Sequence, residues 1–146
     1  MVTSRDCLNK WGSPSTRGDE GKYMTVYNLP PHFTFYIPEL PSRVYCNQLL
    51  ILPLTEAIQN IIDRGLTHEV LTWDGCFNIR KARGYNSWSL HSWGIAIDIN
   101  AAWNGLGKEP QMSKELAACF TDAGFDWGGT WKRKDGMHFQ LKTING

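Results

Sequence analysis

The stretch Ser89-Leu90-His91-Ser92-Trp93-Gly94-Ile95-Ala96-Ile97-Asp98-Ile99-Asn100 decides how the rest of the chain is read. Side chains of a β-strand alternate between its two faces. Ile95, Ile97 and Ile99 therefore share a core face, while Gly94, Ala96, Asp98 and Asn100 share the other. Asp98 is expected to project among small neighbours, with Gly94 and Ala96 leaving open space above the sheet. His91 stands just before the strand, placed to lean over the same opening.

A second element, Asp135-Gly136-Met137-His138-Phe139-Gln140-Leu141, lies near the C-terminus. Alternation puts Met137, Phe139 and Leu141 on one face and His138 with Gln140 on the other. Two histidines and one carboxylate, with a fourth position left open, form a standard set for catalytic zinc. Such an ion lets water act as the nucleophile, so no nucleophilic side chain is required. A general base must still reach that water. Asp135, in Asp-Gly turn chemistry three residues before His138, is the candidate; an ordinary turn aspartate is the alternative.

Outward from these elements, the pattern mixes helices and strands without a βαβ alternation. Leu54, Ala57, Ile58, Ile61 and Ile62 recur at helical spacing over residues 53–64, and Gly65 supplies the C-terminal cap. A second helix is expected over 114–123, between Ser113 as N-cap and Gly124 as C-cap. Ser4 opens a short capped helix, and residues 12–21 read as a polar loop. Strands are expected at 23–28, 70–73, 77–80, 94–100 and 137–142. Pro30-Pro31 should break regular structure, and Pro38 and Pro41 should keep the following segment irregular. The fold class is α+β, a small and mainly antiparallel sheet packed on helices.

The length of 146 residues sets one domain, 1–146, as the expectation and suffices for a core without disulfide staples. A net charge of +1 argues against a dedicated nucleic-acid binder, which shows a clear basic excess. No apolar run approaches a membrane span and no secretory leader is visible, so no membrane anchor is expected. The expected product is made in the cytoplasm and needs another exit route to act outside it. Cys7, Cys46, Cys76 and Cys119 form no C-x-x-C pair, so reduced, mostly buried thiols are expected instead of a thiolate metal site.

Taken together, these residues resemble the zinc D-alanyl-D-alanine carboxypeptidase and L-alanyl-D-glutamate endopeptidase family, which includes many phage endolysins. The family pattern S-x-H-x-x-G-x-A-x-D is filled by Ser89, His91, Gly94, Ala96 and Asp98. Its downstream acid-x-x-H element is filled by Asp135 and His138. Phe125-Asp126-Trp127-Gly128-Gly129-Thr130-Trp131 is similar to a Trp-Gly-Gly stretch common in these enzymes. The resemblance runs from about residue 73 to 141, and residues 1–45 carry little of it.

The resemblance implies a DD-peptidase-like or hedgehog-like fold, His91, Asp98 and His138 as zinc ligands, and Asp135 as general base. It also implies an arginine before the motif that faces developing negative charge; Arg80 is the first candidate and Arg83 the second. Ser89, Arg83, Trp93 and Trp131 complete the candidate substrate-contacting set, with Ser89 also bracing the His91 loop. Trp127 is a further candidate for the groove, and core packing is the alternative for each tryptophan. The implied partner is the peptidoglycan stem peptide, cut by a monomeric, phage-type endolysin, most readily at L-Ala–D-Glu. D-alanyl-D-alanine carboxypeptidase activity is one alternative. A zinc-containing binding module like the hedgehog signalling domain is another. A serine or cysteine hydrolase lacks its motifs here.

Overall fold

The computed structural model describes residues 1–14 and 19–145. Of the polar loop expected over 12–21, residues 15–18 lie outside that description, and Glu20–Lys22 forms a single 3-10 turn. Helix α1 spans Ser4–Trp11 and is capped one residue earlier than its sequence suggests. Thr3 accepts from the Asp6 N–H while Asp6 reaches back to the Thr3 N–H, a capping box.

Strands β1 (Met24–Asn28) and β2 (Arg43–Asn47) pair antiparallel as a two-stranded sheet. The prolines act differently from expectation. Pro31 occupies the first turn of helix α2 (Pro31–Tyr36), where a missing N–H costs nothing. The segment after Pro41 is regular, because Val44 and Cys46 turn inward while Arg43 and Tyr45 face solvent.

Helix α3 (Ile51–Asp63) starts two residues before the expected Pro53, which sits harmlessly in the first turn. It buries Leu54, Ala57, Ile58 and Ile61, as the spacing predicts. Gly65 follows with φ +71°, the left-handed conformation that ends the helix. Helix α4 (Lys114–Thr121) has Ser113 as its N-cap, accepting from the Leu116 N–H. Asn60 on α3 donates to the Cys119 carbonyl at 3.0 Å, tying the two helices together.

The larger sheet is wholly antiparallel, in the order β3 (Trp73–Gly75), β4 (Ala96–Ile99), β6 (His138–Leu141), β5 (Phe125–Trp127). Its two central strands are the two motif elements. The α+β class therefore holds. Ile95, Ile97 and Ile99 are buried at one with Phe139 and Leu141, and Phe120 from α4 stacks on Phe139 at 4.2 Å. The expected strand at 77–80 is absent. Its backbone bonds go to the turn that carries His91, with Asn78 N–H donating to the His91 carbonyl at 3.1 Å. All four cysteines are free and buried. No helix among the described residues is long and apolar enough to cross a membrane.

Candidate metal centre and cleft

His91 is placed by a 3-10 turn, Leu90–Trp93, not by a strand. Ser89 is its N-cap, and its hydroxyl accepts from the His91 N–H at 3.2 Å. Gly94 closes the turn at φ +69°, and its N–H donates to the His91 carbonyl at 3.1 Å. A Cβ at Gly94 would come within 2.7 Å of the Asn47 backbone nitrogen and the Met24 side chain. Gly94 therefore admits the β1–β2 sheet behind the motif, whereas the sequence had it open space above the site. Asn47 completes that junction, its amide donating to the Trp93 carbonyl at 3.0 Å.

Asp98 on β4 and His138 on β6 are direct cross-strand partners. The register alone brings them onto one face, and Ala96 and Gln140 form the next pair on it. Asp98 Oδ2 lies 3.2 Å from His91 Nε2, and Oδ1 lies 3.4 Å from His138 Nδ1. One potential ligand atom from each residue falls within 4.8 Å of the others. Burial alone would raise the Asp98 carboxyl, but the two adjoining imidazoles hold it well below the usual carboxylate range. For His138, burial opposes protonation, yet Asp98 and Asp135 leave it above its ordinary value.

Both imidazoles are oriented from behind. His91 Nδ1 sits 2.7 Å from the Cys76 carbonyl, which can only accept, so Nδ1 carries the proton and Nε2 presents its lone pair. His138 Nε2 sits 3.0 Å from Gln140 Oε1, while Gln140 Nε2 donates to the Val2 carbonyl at 3.2 Å. The Val2 contact fixes which way the amide faces, so Nε2 donates to Gln140 and, in the neutral ring, Nδ1 turns its lone pair toward Asp98. Histidines that hold metals are braced in this way. His91 Nε2 and Asp98 Oδ1 are buried without a hydrogen-bond partner of acceptable geometry. Buried polar atoms are seldom left so, and both point to one spot. The donor set, two nitrogens and a carboxylate, fits a zinc ion held by His91, Asp98 and His138.

These side chains open into a cleft of about 420 Å³. Asp135 lies on its wall, with Oδ2 4.0 Å from His138 Nδ1, too far for a hydrogen bond but within reach of the same centre. Burial pushes its carboxyl above the ordinary value; His138 pulls it down and Asp98 up. Arg80, Arg83, Lys132 and Arg133 also line the cleft, and none pairs with a carboxylate among the described residues. Arg80 is held through its backbone. Its carbonyl accepts from Ser89 N–H at 2.8 Å and from Ser92 Oγ at 3.1 Å, and its N–H donates to Ser92 Oγ at 3.2 Å.

Most sequence candidates thus reach the cleft: His91, Asp98, His138, Asp135, Arg80, Arg83, Ser89 and Trp131. Trp93 does not. It is wholly buried, and its indole N–H donates to the Gly12 carbonyl at 2.9 Å, so its place is the core. Trp127 also faces away from the cleft and packs against the core. Met137, expected inside, lines the cleft instead, because strand β6 begins only at His138. Sequence reasoning passed over Ser92, Cys76 and Gln140. Gln140 was on the correct face and could have been named; the Cys76 carbonyl had no signature to find. The Cys76 thiol itself is buried and pushed well above its ordinary value, which makes it a poor nucleophile.

A family model described as D-alanyl-D-alanine carboxypeptidase matches residues 83–141. The matched stretch contains His91, Asp98, Asp135 and His138 and leaves the first 82 residues outside it. It supports a peptidase. No curated protein and no solved structure matches the chain.

Proposed function

We propose that residues 1–146 act as one monomeric zinc peptidase domain that hydrolyses L-Ala–D-Glu in peptidoglycan stem peptides, as a phage-type endolysin. The observation that carries this is the convergence of His91 Nε2, His138 Nδ1 and Asp98 Oδ within 4.8 Å, with Asp135 on the adjoining wall. Zinc bound there would supply positive charge to polarise the scissile carbonyl and to acidify a water molecule. Asp135 takes the proton of that attacking water and returns it to the leaving amine as the C–N bond breaks. Arg80, its backbone anchored to Ser89 and Ser92, donates to the carbonyl oxygen as it gains negative charge. Arg83, Lys132 and Arg133 favour a peptide bearing carboxylates, and the Trp131 ring, 5.4 Å from His138, offers an apolar wall.

Choice of bond rests on chemistry. Cutting L-Ala–D-Glu detaches the peptide from the glycan, whereas trimming a terminal D-Ala leaves existing cross-links in place. A lytic role, with synthesis in the host cytoplasm and release to the wall, requires the first. The description of the matching family favours the second reading, D-alanyl-D-alanine carboxypeptidase. A non-catalytic binding module of hedgehog type is disfavoured by Asp135 and Arg80, both placed beside the ligands.

The deciding experiment is digestion of purified cross-linked peptidoglycan, with and without EDTA, followed by mass spectrometry. New N-terminal D-Glu, lost on chelation, is the expected result. Free D-Ala without D-Glu termini assigns the carboxypeptidase reaction. Unaltered peptidoglycan with zinc bound would sink the enzymatic reading.

A further inference from the structure

The stretch Trp127-Gly128-Gly129 does not touch the cleft, yet it contacts the turn that carries Asp135 at several points. Trp127 Nε1 donates to the Gly136 carbonyl at 2.8 Å. The Asp135 N–H donates to the Gly128 carbonyl at 2.9 Å. A Cβ on Gly128 would lie 2.5 Å from the Asp135 carbonyl oxygen and 3.0 Å from its Cβ, so only glycine permits this approach. Gly129 performs the same service for the tryptophan, since a Cβ there would fall 2.2 Å from the indole ring. The ring is itself fixed, lying nearly parallel to Phe139 of the core at 6.3 Å.

Other groups close the turn from the opposite side. Gly107 N–H donates to the Lys134 carbonyl at 2.7 Å, and a Cβ on Gly136 would meet Pro110 at 2.9 Å and Asn104 at 3.0 Å. The His138 N–H donates to the Asp135 carbonyl at 3.1 Å. The backbone of residues 134–136 is thus held at every residue, although Asp135 lies in a turn outside the sheet. A carboxylate that must meet a proton at a defined point benefits from such restraint, because displacement by an ångström costs rate.

We propose that Trp127 and Gly128 are positioning residues for catalysis: they fix the backbone of the Asp135 turn and thereby aim its carboxylate. The inference rests on the role proposed above for Asp135, and the test separates the two. Trp127→Phe keeps an aromatic ring against Phe139 but removes the donor to Gly136 along with part of the indole. It should lower kcat about tenfold or more while changing KM less than about twofold, with zinc stoichiometry unchanged. Gly128→Ala, which displaces the turn directly, should lower kcat further. In hydrogen exchange, the Asp135 and His138 amides of Trp127→Phe should lose protection while the β4 amides keep theirs.

A double-mutant cycle with Asp135→Asn assigns the route of the effect. Once the carboxylate is gone, Trp127→Phe should cause no further loss. A Trp127→Phe protein with wild-type kcat, or one whose loss persists in the Asp135→Asn background, overturns the positioning role. Full activity of Asp135→Asn alone overturns the base itself, a separate result.

Discussion

The two sheets of this protein sit on one hydrophobic core but differ in what they bury. Among the described residues, eight polar side chains are buried, and all but Asn47 lie between Ser89 and Gln140. The β1–β2 sheet and α3 bury almost only apolar groups, such as Val44, Leu54 and Ile58. Burying a polar group costs free energy unless it is partnered, so a fold accumulates them only where they are used. Here they include the two histidines, Ser89 and Gln140 that brace them, and Ser92 that holds Arg80, while Asn100 and Asn104 tie the neighbouring loops to the sheet. The difference teaches that the larger sheet holds the chemistry and the smaller one holds it up.

The sharpest way to break that division is to alter a ligand. His138→Ala, or removal of metal by EDTA, should abolish peptidase activity, read as release of new amino termini from peptidoglycan, and should leave less than one zinc per chain by elemental analysis. Retained activity with no transition metal bound would end the metal assignment. Next in size, Asp135→Asn should keep zinc and lose about 10²- to 10⁴-fold in rate. Arg80→Ala should also keep zinc and slow the reaction; if only Arg83→Ala does so, the two arginines exchange roles.

A smaller effect tests the groups behind the ligands. Gln140→Leu removes the acceptor that fixes His138, and should weaken zinc affinity about 10- to 100-fold in a competition titration with a chelating dye. Unchanged affinity would mean that strand β6 alone orients the imidazole. In the smaller-sheet half, Leu54→Ala should cost about 2–5 kcal/mol of stability through the cavity it leaves. The protein that remains folded should keep its zinc and its turnover. Smallest of all, Ser113→Ala, which removes the α4 cap, should cost about 1 kcal/mol in denaturant unfolding and nothing in rate. A loss of kcat from Leu54→Ala in fully folded protein would blur the division between the two regions.

Much of the centre was legible in the residues because a strand has a period of two. Given that Asp98 and His138 lie on strands, their facing follows from Ile95, Ile97, Ile99 and Phe139, whose burial leaves only one side for them. Helix α3 was legible for the parallel reason, a period of 3.6 carried by Leu54, Ala57, Ile58 and Ile61. Short elements failed. Three residues of β5 and three of β3 are too few for a period to show, and the extended segment before Arg80 follows a turn, not a ladder.

What the sequence by itself determined is therefore the α+β class and the face that Asp98 and His138 share, since both are written in the spacing of apolar and polar side chains; the candidate ligand set came from the motif resemblance. The tertiary structure decided which tryptophan meets the cleft, how Ser92 holds Arg80, and that Cys76, Val2 and Gly12 support a site far from them along the chain. Cys76, Val2 and Gly12 act through their carbonyl oxygens. Every residue carries that group, so no choice of amino acid announces it; only the path of the chain in space shows which carbonyl meets which donor.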